Sequence, residues 1–68
     1  MERFIYGVTK KDTVLNELAR NGYELYKYDL YYNYYIYVVN WTAEHLTTRM
    51  YLFDENDILK EIRTISNY

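Results

Sequence analysis

The sequence lacks the residues that usually cross-link a short chain or give it catalytic groups. None of its 68 residues is cysteine, which excludes disulfide bonds, thiolate metal ligands and cysteine nucleophiles. The lone histidine, His45, cannot form a histidine cluster, and its neighbour Glu44 should point away from it. We therefore predict a protein that is not an enzyme and that holds no cofactor or metal.

Glycine, proline and long apolar runs are also scarce. With two glycines and no proline there is no phosphate-binding loop and no linker, so residues 1–68 are predicted to form a single domain. No apolar run of about 18 residues and no signal peptide is seen, which favours a cytoplasmic protein without membrane contact. The net charge of −2 does not draw the chain towards nucleic acid.

Tyrosine is abundant instead, at eleven of 68 residues. Its ring is apolar and its hydroxyl needs a hydrogen-bond partner or water. This abundance therefore indicates a sheet with one solvent-exposed face, or a contact surface. An AT-rich genome would also raise the tyrosine count through codon usage. Such a genome is typical of phages, other viruses and low-GC bacteria.

One amphipathic helix is predicted after Gly7. Thr9 is a good N-cap with Asp12 three residues on, and Asn21-Gly22 predicts a left-handed stop. The apolar stripe consists of Val14, Leu15, Leu18 and Ala19. The solvent side is expected to carry Lys10, Lys11, Glu17 and Arg20.

Aromatic and β-branched residues then predict strands at 24–30, 34–41 and 48–53, with a turn at Asn33 and a connection over 42–47. Phe4–Val8 is expected to be a short extra strand or an extended lead-in.

The C-terminal segment has two interpretations. Ile58, Leu59, Ile62 and Ile65 have helical spacing, yet a polar turn over 54–57 predicts a closing hairpin, which we favour. The predicted fold is α+β, with one N-terminal helix packed on an antiparallel sheet of about four strands. The alternative is a βαβββα fold with a C-terminal helix over 55–66.

Alternation along the strands divides the side chains between two sheet faces. Aliphatic residues such as Ile36 and Met50 are expected beneath the helix. One helix cannot cover both faces, so an aromatic set should remain exposed and form the candidate partner-binding site. This set consists of Tyr35, Tyr37, Trp41, Tyr51 and Phe53.

Two stretches, Gly7–Asp12 and Tyr51–Asn56, together with the tyrosine-rich strands between them, resemble a known family. The chain resembles one repeat of the β-lactamase-inhibitor-protein fold, which the small lipoprotein of the outer-membrane assembly machinery shares. It departs from that family in having Asp57 where glycine is expected and in having no lipid-bearing cysteine. The resemblance implies an α+β fold that binds other proteins through an aromatic-rich sheet.

We therefore predict a small non-enzymatic protein-binding module or inhibitor, encoded by a phage and directed at a protein in the host cytoplasm. Three alternatives stay open. The aromatic face is an ordinary solvent-exposed sheet surface, or the interface of a structural homodimer with no separate ligand, or a surface on which the bases of single-stranded nucleic acid stack. Nucleic acid is disfavoured because the chain is acidic overall.

Overall fold

A computed structural model describes residues 3–67, which form one helix and one four-stranded antiparallel sheet. The elements are α1 (Lys11–Arg20), β1 (Glu24–Asp29), β2 (Tyr34–Trp41), β3 (Leu46–Phe53) and β4 (Leu59–Asn67). The strands lie in the sheet in chain order, so β1 and β4 are its edges. The predicted α+β class and the closing hairpin are confirmed, and the alternative with a helix over 55–66 is wrong.

The turn before β4 explains why the helical spacing of its isoleucines is overridden. The carboxylate of Asp54 accepts hydrogen bonds from the backbone N–H groups of Asn56 at 2.8 Å and Ile58 at 3.0 Å. Asp57 takes the left-handed conformation, with φ of 61°, at the position where glycine was expected. The chain therefore reverses at once, and the ladder with β3 pairs the backbone groups of the following segment that face β3.

The start of α1 differs from the prediction. The N-cap is Lys10, which makes no side-chain capping bond. Thr9 instead accepts a hydrogen bond from the backbone of Ile5 at its Oγ1 and one from the backbone of Leu59 at its carbonyl, both at 2.8 Å. Thr9 thus ties the segment before the helix to β4. Of the two alternatives for Phe4–Val8, the short strand is not found among residues 3–67. Phe4 and Ile5 have no regular structure, and residues 6–8 form a turn.

The end of α1 is as predicted. Gly22 has φ of +79°, its N–H donates to the carbonyl of Ala19, and the N–H of Tyr23 donates to that of Leu18. These two bonds form a Schellman motif, which satisfies carbonyls that the last helical turn leaves unpaired.

The sheet face beneath α1 is the aromatic one, which reverses the predicted assignment. The buried core consists of Val14, Leu18, Tyr37, Tyr51, Phe53 and Leu59. The expectation that Tyr37, Tyr51 and Phe53 are exposed is therefore wrong, and Tyr35 is half-buried against the same cluster. The ring of Tyr51 meets that of Tyr37 edge-on at 6.1 Å, the T-shaped geometry that aromatic pairs favour.

Side-chain reach accounts for the reversal. The ten-residue helix turns two buried apolar side chains, Val14 and Leu18, towards the sheet. Aromatic rings each bury about 150–250 Å² and stand farther from the strand than aliphatic groups, so they fill the remaining space between helix and sheet. The aliphatic face is left to be shielded in part by its own cross-strand neighbours.

An irregularity in β2 separates Trp41 from the other predicted site residues. Val38 pairs with Thr48 but Asn40 pairs with Thr47, so Val39 is an extra residue in the ladder. A bulge shifts the alternation by one position. Trp41 consequently falls on the face opposite Tyr37, where it is 72% exposed.

The helix also differs from its predicted pattern. Lys11, expected on the solvent side, has a side chain that is only 19% exposed and is paired with Asp57. Glu17, expected on the solvent side, is buried and takes part in the interface between α1 and the sheet, whereas Ala19 is exposed. Because the side chains of Arg20 and Asn21 both donate hydrogen bonds to the Glu17 carboxylate, its charge is balanced at the edge of the core.

We expect Tyr51→Ala to destabilise the fold by about 3–5 kcal/mol, because it removes a fully enclosed ring. That is comparable to the ~3–5 kcal/mol that one core supplies in so small a domain, so the variant should be largely unfolded. Trp41→Ala should cost about 0.5 kcal/mol or less. Urea denaturation of both variants tests the assignment, which equal losses of stability would contradict.

Alkaline pH should weaken the fold through Tyr37. Burial, followed by the neighbouring Tyr35 and Tyr51 hydroxyls, raises the pKa of Tyr37 above its ordinary value of 10.0. The folded state therefore holds this proton more tightly, and the resulting stability is lost as pH rises through the raised pKa. Between about pH 9 and 11, Tyr37→Phe should lose less stability than the wild type. Tyr31→Phe, at an exposed ring, is the matched control.

Candidate functional site

The five residues predicted to form an exposed aromatic face do not lie together on one surface. Tyr37, Tyr51 and Phe53 are core residues, Tyr35 is half-buried beside them, and Trp41 lies on the opposite face. Of the predicted set, Trp41 alone presents most of its side chain to solvent. The structure therefore brings four of these rings together as a core around α1.

Most of the exposed aromatic area lies elsewhere, on β1 and the turn that follows it. Six large apolar side chains are exposed within eight consecutive residues, and we call this set the aromatic edge. It consists of Leu25, Tyr26, Tyr28, Leu30, Tyr31 and Tyr32. Scattered exposed apolar residues are ordinary, but so dense a run of them along one short segment is a candidate interaction surface.

The position of β1 explains why these side chains are uncovered. As an edge strand, β1 has a neighbour on one side only. The buried partners of α1 lie on β2, β3 and β4, and no β1 residue belongs to the core cluster. Tyr26 is an additional irregularity, because Leu25 pairs with Tyr37 while Lys27 pairs with Ile36. The bulge presents Tyr26 outside the regular ladder.

The turn that carries Tyr31 and Tyr32 is held by Asp29. One oxygen of the Asp29 carboxylate accepts hydrogen bonds from the backbone N–H of Tyr31 at 2.9 Å and of Tyr32 at 3.0 Å. The two rings meet edge-on with their centres 4.8 Å apart. Two strongly exposed rings, Tyr31 at 86% and Tyr32 at 65%, are thus displayed on an ordered backbone.

The aromatic edge is joined to the core through Tyr28. Its ring stacks on that of Tyr35 with 5.8 Å between centres and 16° between planes. The ammonium of Lys11 lies 5.6 Å from the centre of the Tyr35 ring. Exposed Tyr28 is therefore held by a ring that also contacts Phe53.

Asn33 fixes the turn from its other end. Its backbone is left-handed, with φ of 58°, and its amide donates to the Asp54 carbonyl at 3.0 Å and the Asp57 carboxylate at 2.8 Å. The bond from Asn33, followed by one from Lys11, lowers the pKa of Asp57 below its ordinary value of 3.8. The two turns at this end of the sheet are thereby bound to each other and to α1.

Few charges lie within the aromatic edge. Between Tyr23 and Tyr32 the sequence has one cation, Lys27, and two carboxylates, Glu24 and Asp29. The Asp29 carboxylate is engaged in the turn. The surface is therefore apolar and phenolic, with a slight excess of negative charge.

The second face of the sheet is uncovered as well. Its central strands carry the aliphatic residues that were expected beneath the helix, and α1 is the single helix among residues 3–67. These side chains are Ile36, Val38, Met50 and Leu52. They are all half-buried, so this face exposes less of each side chain than the aromatic edge does.

Within residues 3–67 no three histidine, aspartate or glutamate side chains are grouped closely enough to hold a metal ion. The helix of the described chain, at ten residues, is too short and too polar to cross a membrane.

Sequence reasoning missed the aromatic edge although a signal for it was present. Tyr31 and Tyr32 stand directly before Asn33, the residue predicted to turn the chain. Large rings in a tight turn between two adjacent strands have little core within reach, because connections run over the surface. The exposure of Tyr28 had no comparable signal, since it depends on how far α1 extends across the sheet.

No protein-family model, curated protein or solved structure matches this chain. The resemblance to the β-lactamase-inhibitor-protein fold therefore stays a prediction.

Asn33 offers a test of how the turn is held. Asn33→Gly keeps the left-handed backbone but removes the amide bonds, and we expect it to cost about 1 kcal/mol. Asn33→Ala removes the bonds and adds backbone strain, so its cost should exceed that of the glycine variant by about 1 kcal/mol. Thermal denaturation measures both, and equal stabilities would show that the backbone of residue 33 is not strained.

Proposed function

We propose that this protein is a small non-enzymatic binding module or inhibitor that recognises another protein through the aromatic edge. The observation that carries the proposal is the exposure of six large apolar side chains within eight consecutive residues of β1 and its turn. Four of the six are tyrosines. Phage origin and a target in the host cytoplasm stay predictions of the sequence.

Tyrosine suits this role because of its shape and its entropy. A tyrosine ring offers a large rigid contact area with two rotatable side-chain bonds, and its hydroxyl can pair with polar groups of a partner. Tyrosine is also enriched among the residues that dominate binding energy. Tyr31 and Tyr32, at the tip of the turn, are the side chains that a partner would reach first.

The order of the turn supports the same proposal. Binding costs free energy when flexible side chains and loops must be immobilised. Asp29 and Asn33 already hold the two ends of this turn by hydrogen bonds, and Tyr28 is stacked on Tyr35. A partner would therefore meet rings on a backbone that is ordered in advance.

The edge position adds a second source of affinity. The outer side of β1 faces no neighbouring strand among residues 3–67. An extended segment of another protein can pair with such an edge through main-chain hydrogen bonds. In this arrangement the strand backbone supplies affinity and the tyrosine rings supply specificity.

Charge favours a protein partner over nucleic acid. Binding to single strands combines stacked rings with a positively charged groove. The stretch from Tyr23 to Tyr32, which contains the aromatic edge, has Lys27 as its one cation and Glu24 and Asp29 as its carboxylates. Retention on polynucleotide resin that weakens steeply with salt would instead support the nucleic-acid alternative.

The experiment compares capture by the immobilised protein with capture by Tyr31→Ser/Tyr32→Ser. We expect the double variant to lose a specific partner from a lysate of the cells in which the gene is expressed. Loss of two exposed hot-spot rings should weaken binding about 100-fold or more, while the fold persists.

Trp41→Ser is the matched control, because its ring is comparably exposed at a distant position. It should capture the partner as the wild type does. If the Trp41 variant alone loses the partner, the binding site lies on the other sheet face and not on the aromatic edge. If the purified protein has twice the mass of the 8.5 kDa chain and the tyrosine substitutions dissociate it, the partner is a second copy of the chain.

A further inference from the structure

A cleft lies between α1, the segment before it and the β3–β4 half of the sheet, apart from the aromatic edge. Its volume is about 450 Å³, within the range of small-molecule sites. Its apolar walls include Phe4, Leu18, Tyr23, Tyr51 and Ile62. None of these residues belongs to the aromatic edge, so the cleft is a separate feature of the molecule.

Among the described residues that line the cleft there is one cation, Arg49 of β3, which is half-buried. Its guanidinium makes a single hydrogen bond within residues 3–67, from Nε to Oγ1 of Thr64 at 3.4 Å. No carboxylate of the described chain lies within ion-pair distance of it, whereas Lys11, Arg20 and Arg63 each have such a partner. A guanidinium has five N–H donors, so Arg49 retains most of its capacity to bind an anion.

The carboxylate in the cleft does not neutralise Arg49. Glu17 is paired with Arg20 at 3.1 Å and accepts a second bond from Asn21 at 3.3 Å. Its hydrogen-bonding capacity is directed to the end of α1 and not to β3. The cleft therefore combines aromatic walls, a carboxylate paired elsewhere and a guanidinium with no ion-pair partner in the described part of the chain.

We propose that this cleft binds a small organic carboxylate with a ring-sized apolar body. The carboxylate accepts two hydrogen bonds from the Arg49 fork, the geometry that guanidinium groups favour. The body lies against Phe4, Tyr23 and Ile62, the more accessible of the apolar walls. Thr64, which contacts Nε of Arg49, orients the guanidinium and is a positioning residue.

The test uses two probes of one shape, indole-3-acetate and the uncharged indole-3-acetamide. Both are titrated into the full-length ¹⁵N-labelled protein, and backbone amide shifts are followed by NMR. We expect saturable shifts at Asn21, Arg49 and Thr64, and none at Tyr31. The carboxylate should bind about tenfold more tightly than the amide, because a charge-assisted bond replaces a neutral one.

Arg49→Gln should lower the affinity for indole-3-acetate to that for the amide and leave the amide's affinity unchanged. Arg63→Gln is the matched control. It removes the same charge from the neighbouring strand, but Arg63 pairs with Met50, on the other sheet face. The control should leave the affinities for both probes unchanged.

Three results would overturn the proposal. They are equal affinities of the wild type for the two probes, shifts confined to the aromatic edge, and an undiminished carboxylate affinity in Arg49→Gln. The comparison of probes on the wild-type protein is decisive even where Arg49→Gln fails to fold. Loss of partner capture by the tyrosine variant has no bearing on these measurements, since the two surfaces share no residue.

Discussion

The packing of Tyr37, Tyr51 and Phe53 against Val14 and Leu18 is the interaction on which the rest of the structure depends. A domain without disulfides or metal must obtain its stability from one small core. The helix is ten residues long, so rings must supply much of the buried apolar area. Which sheet face lies beneath α1, and hence which face is open, follows from this packing.

The same constraint determines the surfaces. A helix of this length reaches the core residues of three strands and leaves β1 outside the cluster. The rings of β1 and its turn are therefore exposed, and Asp29 and Asn33 order them without burying them. On the other flank, the space between α1 and β4 is not filled by side chains and becomes the cleft that contains Arg49. Core, aromatic edge and cleft are three consequences of one short helix on a wider sheet.

Local signals predicted the elements well, and the faces poorly. The Asn21-Gly22 stop, the turn at Asn33 and the polar turn before β4 each depend on backbone conformations that neighbouring residues impose. The assignment of Tyr37 and Trp41 to one exposed face failed for two reasons. First, the space between α1 and the sheet decides whether the aromatic or the aliphatic face is buried. Second, the bulge at Val39 reverses the alternation of side chains after it, so Trp41 lies on the other face.

By itself, the sequence determined the α+β class, the order of one helix and four strands, and a supply of rings too large for one helix to bury. These properties are encoded locally, in periodicity, turn residues and composition. The tertiary structure alone decided which rings form the core, that β1 carries exposed tyrosines, and that Arg49 lies in a cleft with no carboxylate partner among residues 3–67. Those outcomes depend on the ladder register and on the reach of α1 across the sheet, which couple residues that are distant along the chain.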